Sequence, residues 1–433
     1  MGVVDVALTL RLIVAWLAVM AAGLPSTGFG QQVDDRIAMD AADWPWWRGP
    51  QRTGVANPDQ DPPTEWSATK NVVWKSPIPG RGHSSPTVVG SRVFVATADE
   101  KQDYQSVVCY DRQTGKQLWE TICHRGGVMR KNEKSSGASS TVACDGETVY
   151  INFANRGAVQ VSALSVDGQV KWQTKLADYQ IHQGYGSSPM LYQSLVIVVA
   201  DSHAGGAIAG LDRKTGKIVW KHERPKEPNY TSPIVLNVEG RDQLFLTGCN
   251  LVSSFEPLTG KVLWEVKGAT TECVTSTVTD GHRVYSSGGY PRNHLAAILA
   301  DGSGKIGWET KDRVYVPSLL MREGYLYGVL DAGVAACWQS DTGKEMWKER
   351  LGGTFSASPV LVRDVVYATN ESGETFVYRV SPAKFELLAK NKLGEESLSS
   401  VAICGSRIYI RVVEDVDGRP QGMLYCLAGQ SQS

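Results

Sequence analysis

Hydrophobic positions in this chain fall in short runs separated by turn residues, and no long stretch has helical periodicity. Runs such as Arg92–Ala96 and Thr148–Asn152 contain Val, Phe, Tyr and Ile, which favour β-strands. Ahead of each such run stand a turn and an earlier apolar run. The pattern therefore predicts many short strands joined by turns, and the count of 44 glycines agrees with it.

A glycine four residues ahead of a tryptophan recurs six times, with successive tryptophans 39 to 53 residues apart. The pairs are Gly115/Trp119, Gly168/Trp172, Gly216/Trp220, Gly260/Trp264, Gly304/Trp308 and Gly343/Trp347. Thr often precedes the glycine and Lys often follows it. We interpret this motif as a tight turn between antiparallel strands, in which glycine takes a positive φ. The tryptophan then packs against a neighbouring unit.

A second element, usually two adjacent hydroxyl-bearing residues, recurs 31 to 35 residues ahead of each of these tryptophans. Its eight copies begin at Ser84, Ser139, Ser187, Thr231, Thr275, Val316, Ala357 and Ser399. Each unit then holds four short strands in about 40 to 50 residues, which is the size of one propeller blade. Because all eight copies are alike, their hydroxyl groups are expected to bond backbone near a narrow channel rather than to act as nucleophiles.

The number of strands indicates how the ring closes. The seventh unit ends in a degenerate fourth strand near Lys384–Leu393, and the eighth, Ser399–Leu427, stops after three strands. The segment Asn71–Ser76 is a fourth strand without a first three, so it can complete the eighth unit and remove an open sheet edge. The sequence thus predicts an all-β, eight-bladed β-propeller of four-stranded antiparallel blades over residues 71–429, with a tail at 430–433.

The segment before the propeller divides into two parts. Residues 1–30 contain the 13-residue apolar run Leu12–Leu24 and a small-residue site at Gly28–Gly30, which indicates a cleaved signal peptide rather than an uncleaved anchor. This predicts a periplasmic or secreted protein. Residues 31–70 form a Trp-rich extension with Trp44, Trp46 and Trp47. We expect it to cap one face of the propeller, and the alternative is an exposed anchor for a partner or a glycan.

Charge and cysteine usage restrict the class of protein. The 44 Lys and Arg residues nearly balance the 45 Asp and Glu residues, which argues against nucleic acid as a partner. Beyond the signal, no stretch is long and apolar enough to cross a membrane. We expect the protein to be a monomer. The eight cysteines include no C-x-x-C pair. Most of them are expected to be small buried hydrophobic residues, although export permits disulfides and leaves their pairing open.

The repeat Asp-x-x-Thr-Gly-Lys-x-x-Trp resembles that of the pyrroloquinoline-quinone-type (PQQ-like) propellers. The segment from Trp44 to Gly54 is similar to the opening of exported PQQ-like proteins of planctomycete-type bacteria. The resemblance implies one of two classes. The first is the quinoprotein dehydrogenases, and the second is a group of non-enzymatic scaffolds typified by the outer-membrane assembly factor BamB, which bind partner proteins.

In the dehydrogenase class, the resemblance implies an adjacent-cysteine disulfide over the quinone, a bound calcium ion and an Asp base. This sequence has no adjacent cysteine pair, and we find no Glu, Asn and Asp positions that match the family pattern. We therefore expect no cofactor and lean against an enzyme. The expectation is an exported, non-catalytic scaffold that binds other envelope proteins. The alternatives are a PQQ-dependent quinoprotein oxidoreductase with calcium and a carbohydrate-binding or carbohydrate-active propeller.

A ligand site in such a fold would lie at the channel mouth, where the innermost strands begin. The candidates by position are Arg81, His83, Arg130, His182, Tyr185, Tyr230, Glu272, Arg313, Tyr315 and Glu396, with Lys134, Asn229 and Phe355 beside them. Such a ring could bind a polar or anionic molecule, and the alternative is that these residues are solvated or cap strand ends. We expect no metal, because His203 is predicted to lie on a loop away from His182.

Overall fold

The computed structural model describes Met1, Ile37, residues 39–130 and residues 132–429. Apart from Met1, the predicted signal peptide lies outside the described residues, as do part of the predicted extension and the tail 430–433. The described residues form 32 β-strands and contain no helix. Across them, no helical segment has the length and apolar character needed to span a bilayer.

The strands form eight four-stranded antiparallel sheets, which are the blades. Blade 1 consists of β2 (Thr87–Val89), β3 (Arg92–Asp99), β4 (Tyr104–Asp111) and β5 (Gln117–Arg125), and blade 2 of β6 (Ala143–Cys144), β7 (Thr148–Asn155), β8 (Ala158–Ser165) and β9 (Val170–Asp178). Blade 3 consists of β10 (Met190–Tyr192), β11 (Leu195–Val199), β12 (Gly206–Asp212) and β13 (Ile218–Arg224), and blade 4 of β14 (Ile234–Val238), β15 (Arg241–Gly248), β16 (Leu251–Phe255) and β17 (Val262–Lys267). Blade 5 consists of β18 (Val278–Thr279), β19 (Arg283–Gly288), β20 (His294–Leu299) and β21 (Ile306–Thr310), and blade 6 of β22 (Leu320–Arg322), β23 (Tyr325–Leu330), β24 (Val334–Gln339) and β25 (Glu345–Arg350). Blade 7 consists of β26 (Val360–Val362), β27 (Val365–Thr369), β28 (Glu374–Val380) and β29 (Phe385–Lys392), and blade 8 of β30 (Ala402–Cys404), β31 (Arg407–Val416), β32 (Arg419–Ala428) and β1 (Val72–Ile78).

The eighth blade closes the ring with strands from both ends of the described propeller. Strand β1 pairs antiparallel with β32, with Trp74 opposite Cys426 and Ser76 opposite Leu424. Within this blade the order is β30, β31, β32 and β1. The predicted eight-bladed propeller and its closure by an N-terminal strand are both confirmed.

In five of its six copies, the glycine of the glycine–tryptophan motif contacts a tryptophan of the preceding blade. Gly216 has φ +71, and a Cβ added to it would lie 2.5 Å from the ring of Trp172 in the preceding blade. The Trp172 indole Nε1 donates to the Arg213 carbonyl in the same turn, at 3.0 Å. Gly115 stands in the same relation to Trp74 and Gly343 to Trp308. Glycine is therefore required at this position for two reasons: the backbone has a positive φ, and the indole approaches too closely to leave room for a Cβ.

Hydroxyl groups of neighbouring blades are linked in a ring around the channel. The residues of this ring, the serine ring, are Ser85, Thr141, Ser188, Ser232, Ser276, Ser318, Ser358 and Ser400. In seven of the eight steps, the backbone N–H of one residue donates to the side-chain oxygen of the next at 2.8 to 3.2 Å. The prediction that these recurring hydroxyl groups bond backbone is confirmed.

The chain between residues 39 and 66 lies against the ends of innermost strands. Trp44 exchanges two backbone hydrogen bonds with Val88 of β2, at 2.7 and 2.9 Å. The Ala56 N–H donates to the Leu361 carbonyl of β26 at 2.8 Å. The side chains of Trp44 and Trp46 are 3% and 4% exposed. Several innermost strands are thereby tied to one continuous segment at this end of the channel.

Arg48 anchors the same segment below the serine ring. Its buried guanidinium donates to the carbonyl oxygens of Thr53, Leu319 and Pro359. A Cβ on Gly54 would lie 2.6 Å from the guanidinium carbon, so this position requires glycine. Burial lowers the pKa of Arg48 to about 9. Hydrogen bonds to carbonyls therefore hold a cation that would otherwise be costly to bury.

All eight cysteines are buried and free in the structure. Burial raises the pKa of the Cys337 thiol to about 12. The interpretation of most cysteines as small buried hydrophobic residues is confirmed, and the structure shows no disulfide between them.

Candidate functional site

A cavity of about 640 Å³ lies at the end of the channel where the innermost strands begin. Serine-ring residues Ser85, Ser188 and Ser400 are among those that line it. Trp47 of the N-terminal segment also lines it, and the Trp47 indole Nε1 donates to Ser276 Oγ at 2.8 Å. The indole thus reaches the serine ring from the N-terminal segment. We call this cavity the mouth.

One wall of the mouth is built around the carboxylate of Glu272, which lies just ahead of blade 5. Its side chain is 7% exposed. One carboxylate oxygen lies 3.3 Å from His182 Nε2, and the other accepts from the Tyr315 hydroxyl at 3.3 Å. Burial and the nearby charge of Glu272 raise the pKa of Tyr315 and of Tyr230. Both phenols therefore stay protonated and can act as hydrogen-bond donors toward this carboxylate.

The opposite wall carries His83, just ahead of blade 1. Burial lowers the pKa of His83 to about 3, with smaller contributions from Arg81, Arg411 and Arg130. Its buried Nε2 atom has no hydrogen-bond partner among the described residues. Arg411 is 4% exposed and donates to the Ala96 carbonyl at 2.8 Å. This wall thus combines a neutral imidazole with nearby guanidinium groups, and it differs in charge from the wall at Glu272.

The connection between blades 1 and 2 reaches across the mouth. Lys134 Nζ lies 2.8 Å from a carboxylate oxygen of Glu371, which follows β27 in blade 7. The Asn132 amide donates to the Gln183 side-chain oxygen at 2.7 Å. The guanidinium of Arg81 donates to the Ser135 carbonyl at 3.2 Å. These contacts hold part of the connection over the cavity.

Six of the ten predicted site residues line the mouth and four do not. Those that line it are His83, His182, Tyr185, Tyr230, Glu272 and Tyr315, and Lys134 joins them. The other four are Arg81, Arg130, Arg313 and Glu396.

The four residues outside the lining have other contacts. Arg81 bonds the carbonyls of the connection over the mouth. Arg130 is exposed and pairs with Glu100 at 3.4 Å. The guanidinium of Arg313 lies 5.4 Å from the ring centroid of Tyr315. Glu396 forms a backbone bridge with Val413. Their positions ahead of the innermost strands predicted that they would line the mouth, but their side chains or backbones make these other contacts instead.

The predicted separation of His182 from His203 is wrong. The two rings approach edge to face with centroids 5.4 Å apart. Asp201 does not join them as a ligand, because it is buried and its two oxygens lie 3.0 Å from Arg224 Nε. Among the described residues, no group of three or more His, Cys, Asp or Glu side chains could hold a metal ion.

Trp47 and Tyr290 are among the lining residues of the mouth that the sequence analysis missed. Trp47 was assigned to the cap but not to the cavity. Tyr290 lies in the connection between the second and third strands of blade 5, whereas the candidates came only from segments ahead of innermost strands. Glu371 lies in the corresponding connection of blade 7 and pairs with the lining residue Lys134. Both kinds of connection reach the same end of a blade, so a search of both would have found them.

A family described as outer membrane protein assembly factor BamB matches residues 59–182, 103–349 and 300–389. The chain is similar to the outer membrane protein assembly factor BamB of Yersinia pestis, with 26% identity over 313 residues, which cover 66% of this chain and 71% of that protein. It resembles the crystal structure of BamB from Moraxella catarrhalis, with a TM-score of 0.59 and 14% identity over 84% of this chain and 98% of the other. It also resembles a europium-containing methanol dehydrogenase, with a TM-score of 0.65 and 11% identity over 90% of this chain and 98% of that one. At these identities the two structural likenesses show the fold alone.

The residues of the mouth do not fit a quinone held with calcium. Hard cations such as calcium take six to eight oxygen ligands, with carboxylates prominent among them. Glu272 supplies the only carboxyl group among the described lining residues, and it already contacts His182 and Tyr315. The sequence also lacks an adjacent cysteine pair.

Proposed function

The chain belongs to the family described as outer membrane protein assembly factor BamB, and we propose on that premise that it is a non-catalytic protein-binding module of the cell envelope. In this proposal the mouth of the channel holds part of a partner protein. The partner is another envelope protein, and the propeller itself acts as a monomer.

The mouth is the observation that carries this proposal. It is a cavity of about 640 Å³ that combines aromatic rings, hydroxyl groups and one carboxylate. Its walls come from several blades of a closed ring, so they are held rigidly with respect to one another. Preformed concave sites of mixed apolar and polar character are where proteins commonly bind ligands.

The contacts inside the mouth favour binding over catalysis. Hydroxyl oxygens of the serine ring accept backbone N–H groups, as Ser188 does from Thr141, and this supports structure. His182 contacts Glu272 and Gln183 rather than a hydroxyl that it could activate. An acid pair, which glycoside hydrolysis uses, is not formed by the described lining residues, since Glu272 is their only carboxyl group.

Location in the envelope is supported by two independent features. The N-terminal 30 residues have the pattern of a signal peptide. The relatives named above are assembly factors of the outer membrane by their names. Both features support our proposal that the protein acts in the periplasm or outside the cell.

Co-purification of the tagged chain from envelope extracts tests this function. The variant Tyr290→Arg places a bulky cation at the mouth, where Tyr290 is 54% exposed. The matched control Leu387→Arg alters a residue that is 51% exposed on β29, an outermost strand. We expect the wild type and the control to recover the same partner and Tyr290→Arg to recover about ten-fold less. Equal recovery by Tyr290→Arg, or no partner for the wild type, would contradict the proposal.

A further inference from the structure

The carboxylate of Glu272 is buried in the mouth with few and long contacts. A carboxylate can accept about four hydrogen bonds. The contacts to His182 and Tyr315 are both 3.3 Å long, which exceeds the 2.7 to 3.2 Å typical of N–H donors and the 2.5 to 3.0 Å typical of O–H donors. Among the described residues, no Lys or Arg nitrogen lies within 4.0 Å of it. A buried carboxylate without a cation or a full set of donors is costly, so this group has unused capacity for a cationic ligand.

Aromatic rings surround the same part of the mouth. Tyr230, Tyr290 and Tyr315 line the cavity together with Glu272, and Trp47 lies among its lining residues. The backbone of Tyr290 bridges to that of Glu272, which holds the two residues at the same part of the cavity wall. The faces of such rings attract cations, and aromatic cages recognise ammonium groups. A carboxylate with several tyrosines is therefore a set of groups that selects a positive charge.

The opposite wall disfavours a cation. Three guanidinium groups, those of Arg81, Arg130 and Arg411, are near enough to His83 to lower its pKa. Positive charge thus lies near blades 8, 1 and 2, whereas Glu272 in front of blade 5 supplies the only carboxyl group among the described lining residues, so a cation is favoured near Glu272. This asymmetry gives the bound group one position in the cavity.

We propose that Glu272, Tyr230 and Tyr290 bind the ammonium group of a lysine side chain that the partner protein inserts into the mouth, while Tyr315 holds the carboxylate in place. This inference rests on the proposed function and names the group that the same site recognises. A lysine side chain can reach a buried carboxylate because its ammonium is carried on a flexible four-carbon stem. The apolar stem then contacts the tyrosine rings.

Calorimetric titration with two short peptides tests the inference on the full chain. The first is acetyl-Gly-Gly-Lys-Gly-Gly-amide, and the second has norleucine in place of lysine, which keeps the stem and removes the charge. We expect the lysine peptide to bind at least about ten-fold more tightly, because only the lysine ammonium can form charge-assisted hydrogen bonds with the carboxylate. Equal binding of both peptides would overturn the inference.

Two variants connect the preference to the carboxylate. Glu272→Gln should reduce the lysine preference to about two-fold or less. Glu147→Gln makes the same change of charge at an exposed position between β6 and β7, and it should leave the preference unchanged. Tyr290→Ala, at an exposed position that adds little to stability, should weaken the lysine peptide about three-fold or more. A lysine preference that persists in Glu272→Gln overturns the assignment.

The failure of this inference is distinguishable from the failure of the proposed function. If Glu272→Gln recovers the envelope partner as well as the wild type does, the lysine assignment is overturned and the binding function stands. If the wild type recovers no partner, both are overturned. If Glu272→Gln loses both the peptide preference and the partner while its unfolding transition matches the wild type, the assignment is supported.

Discussion

Single side chains set the charge of the mouth, and they do so through burial as much as through their neighbours. His83 is kept neutral mainly because it is buried, and the guanidinium groups around it add to the effect. Glu272 is also buried, yet it faces tyrosine hydroxyls and His182. The two residues lie ahead of opposite blades but at different places in the repeat, since His83 is two residues ahead of Ser85 and Glu272 is four residues ahead of Ser276. Their different surroundings give the mouth its polarity.

His83 makes stability depend on pH. Its pKa is about 3 in the folded chain against 6.5 for an ordinary histidine, so the unfolded chain binds a proton that the folded chain does not. Its contribution to stability is complete above pH 6.5 and is lost as the pH falls toward 3. Between pH 7 and 5 we expect the wild type to lose about 2 kcal/mol more free energy of unfolding than His83→Gln. Urea unfolding of both proteins at the two pH values measures this difference, and equal losses would contradict it.

At the scale of elements, one motif performs two tasks. The turn glycine permits the positive φ and leaves room for the tryptophan of the preceding blade, as Gly216 does for Trp172. The indole N–H then bonds a carbonyl of that turn. The tryptophan therefore belongs to the contact between blades, which explains why glycine and tryptophan recur together. The glycine and the tryptophan of one copy are only four residues apart, yet in five of the six copies the glycine contacts a tryptophan from the preceding blade rather than its own.

Two glycines with the same backbone angle separate these tasks. Gly216 and Gly240 both have φ +71, but an added Cβ meets Trp172 at 2.5 Å in the first case and no atom within 4 Å in the second. We expect Gly240→Ala to cost about 1 to 2 kcal/mol for the left-handed conformation alone. Gly216→Ala should cost about 1 to 3 kcal/mol more, because the indole must move. Chemical unfolding of both variants measures this, and equal costs would show that φ alone selects the glycine.

The elements were more predictable from the sequence than the site was. Strands, blade number and closure follow from repeated features, such as the six Gly–Trp pairs and the unpaired strand at Trp74, since repetition multiplies a weak local signal. The mouth depends on side chains that occur once. Glu272 and His182 were found by position, but Trp47 reaches the mouth from a segment that is distant in sequence. His203 was misplaced because the path of its loop is not encoded in the repeat.

At the scale of the whole molecule, closure leaves no blade at an end. Each blade contacts two neighbours, and blade 8 combines β30, β31 and β32 with β1. The segment 39–66 adds contacts to β2 and β26, on blades 1 and 7. A ring held in this way should not lose single blades from a free end, as a linear array of repeats does.

The buried thiols provide a test of this cooperativity. All eight are buried and free, in or beside six of the eight blades. We expect native protein in increasing urea to show two populations by mass after brief alkylation, one with no label and one with eight. Stepwise labelling of one or two thiols would indicate that blades open separately. Fewer than eight labels in fully unfolded, unreduced protein would reveal a disulfide.

Site-specific photo-crosslinking in intact cells tests the central claim, that the mouth holds a partner protein. The photo-reactive p-benzoylphenylalanine would replace Tyr290 at the mouth in one protein and Leu387 on the outer strand β29 in another, at positions of similar exposure. The account predicts one discrete adduct with an envelope protein from position 290 and none from position 387. An adduct from position 387 alone, or no adduct from either position, would contradict it.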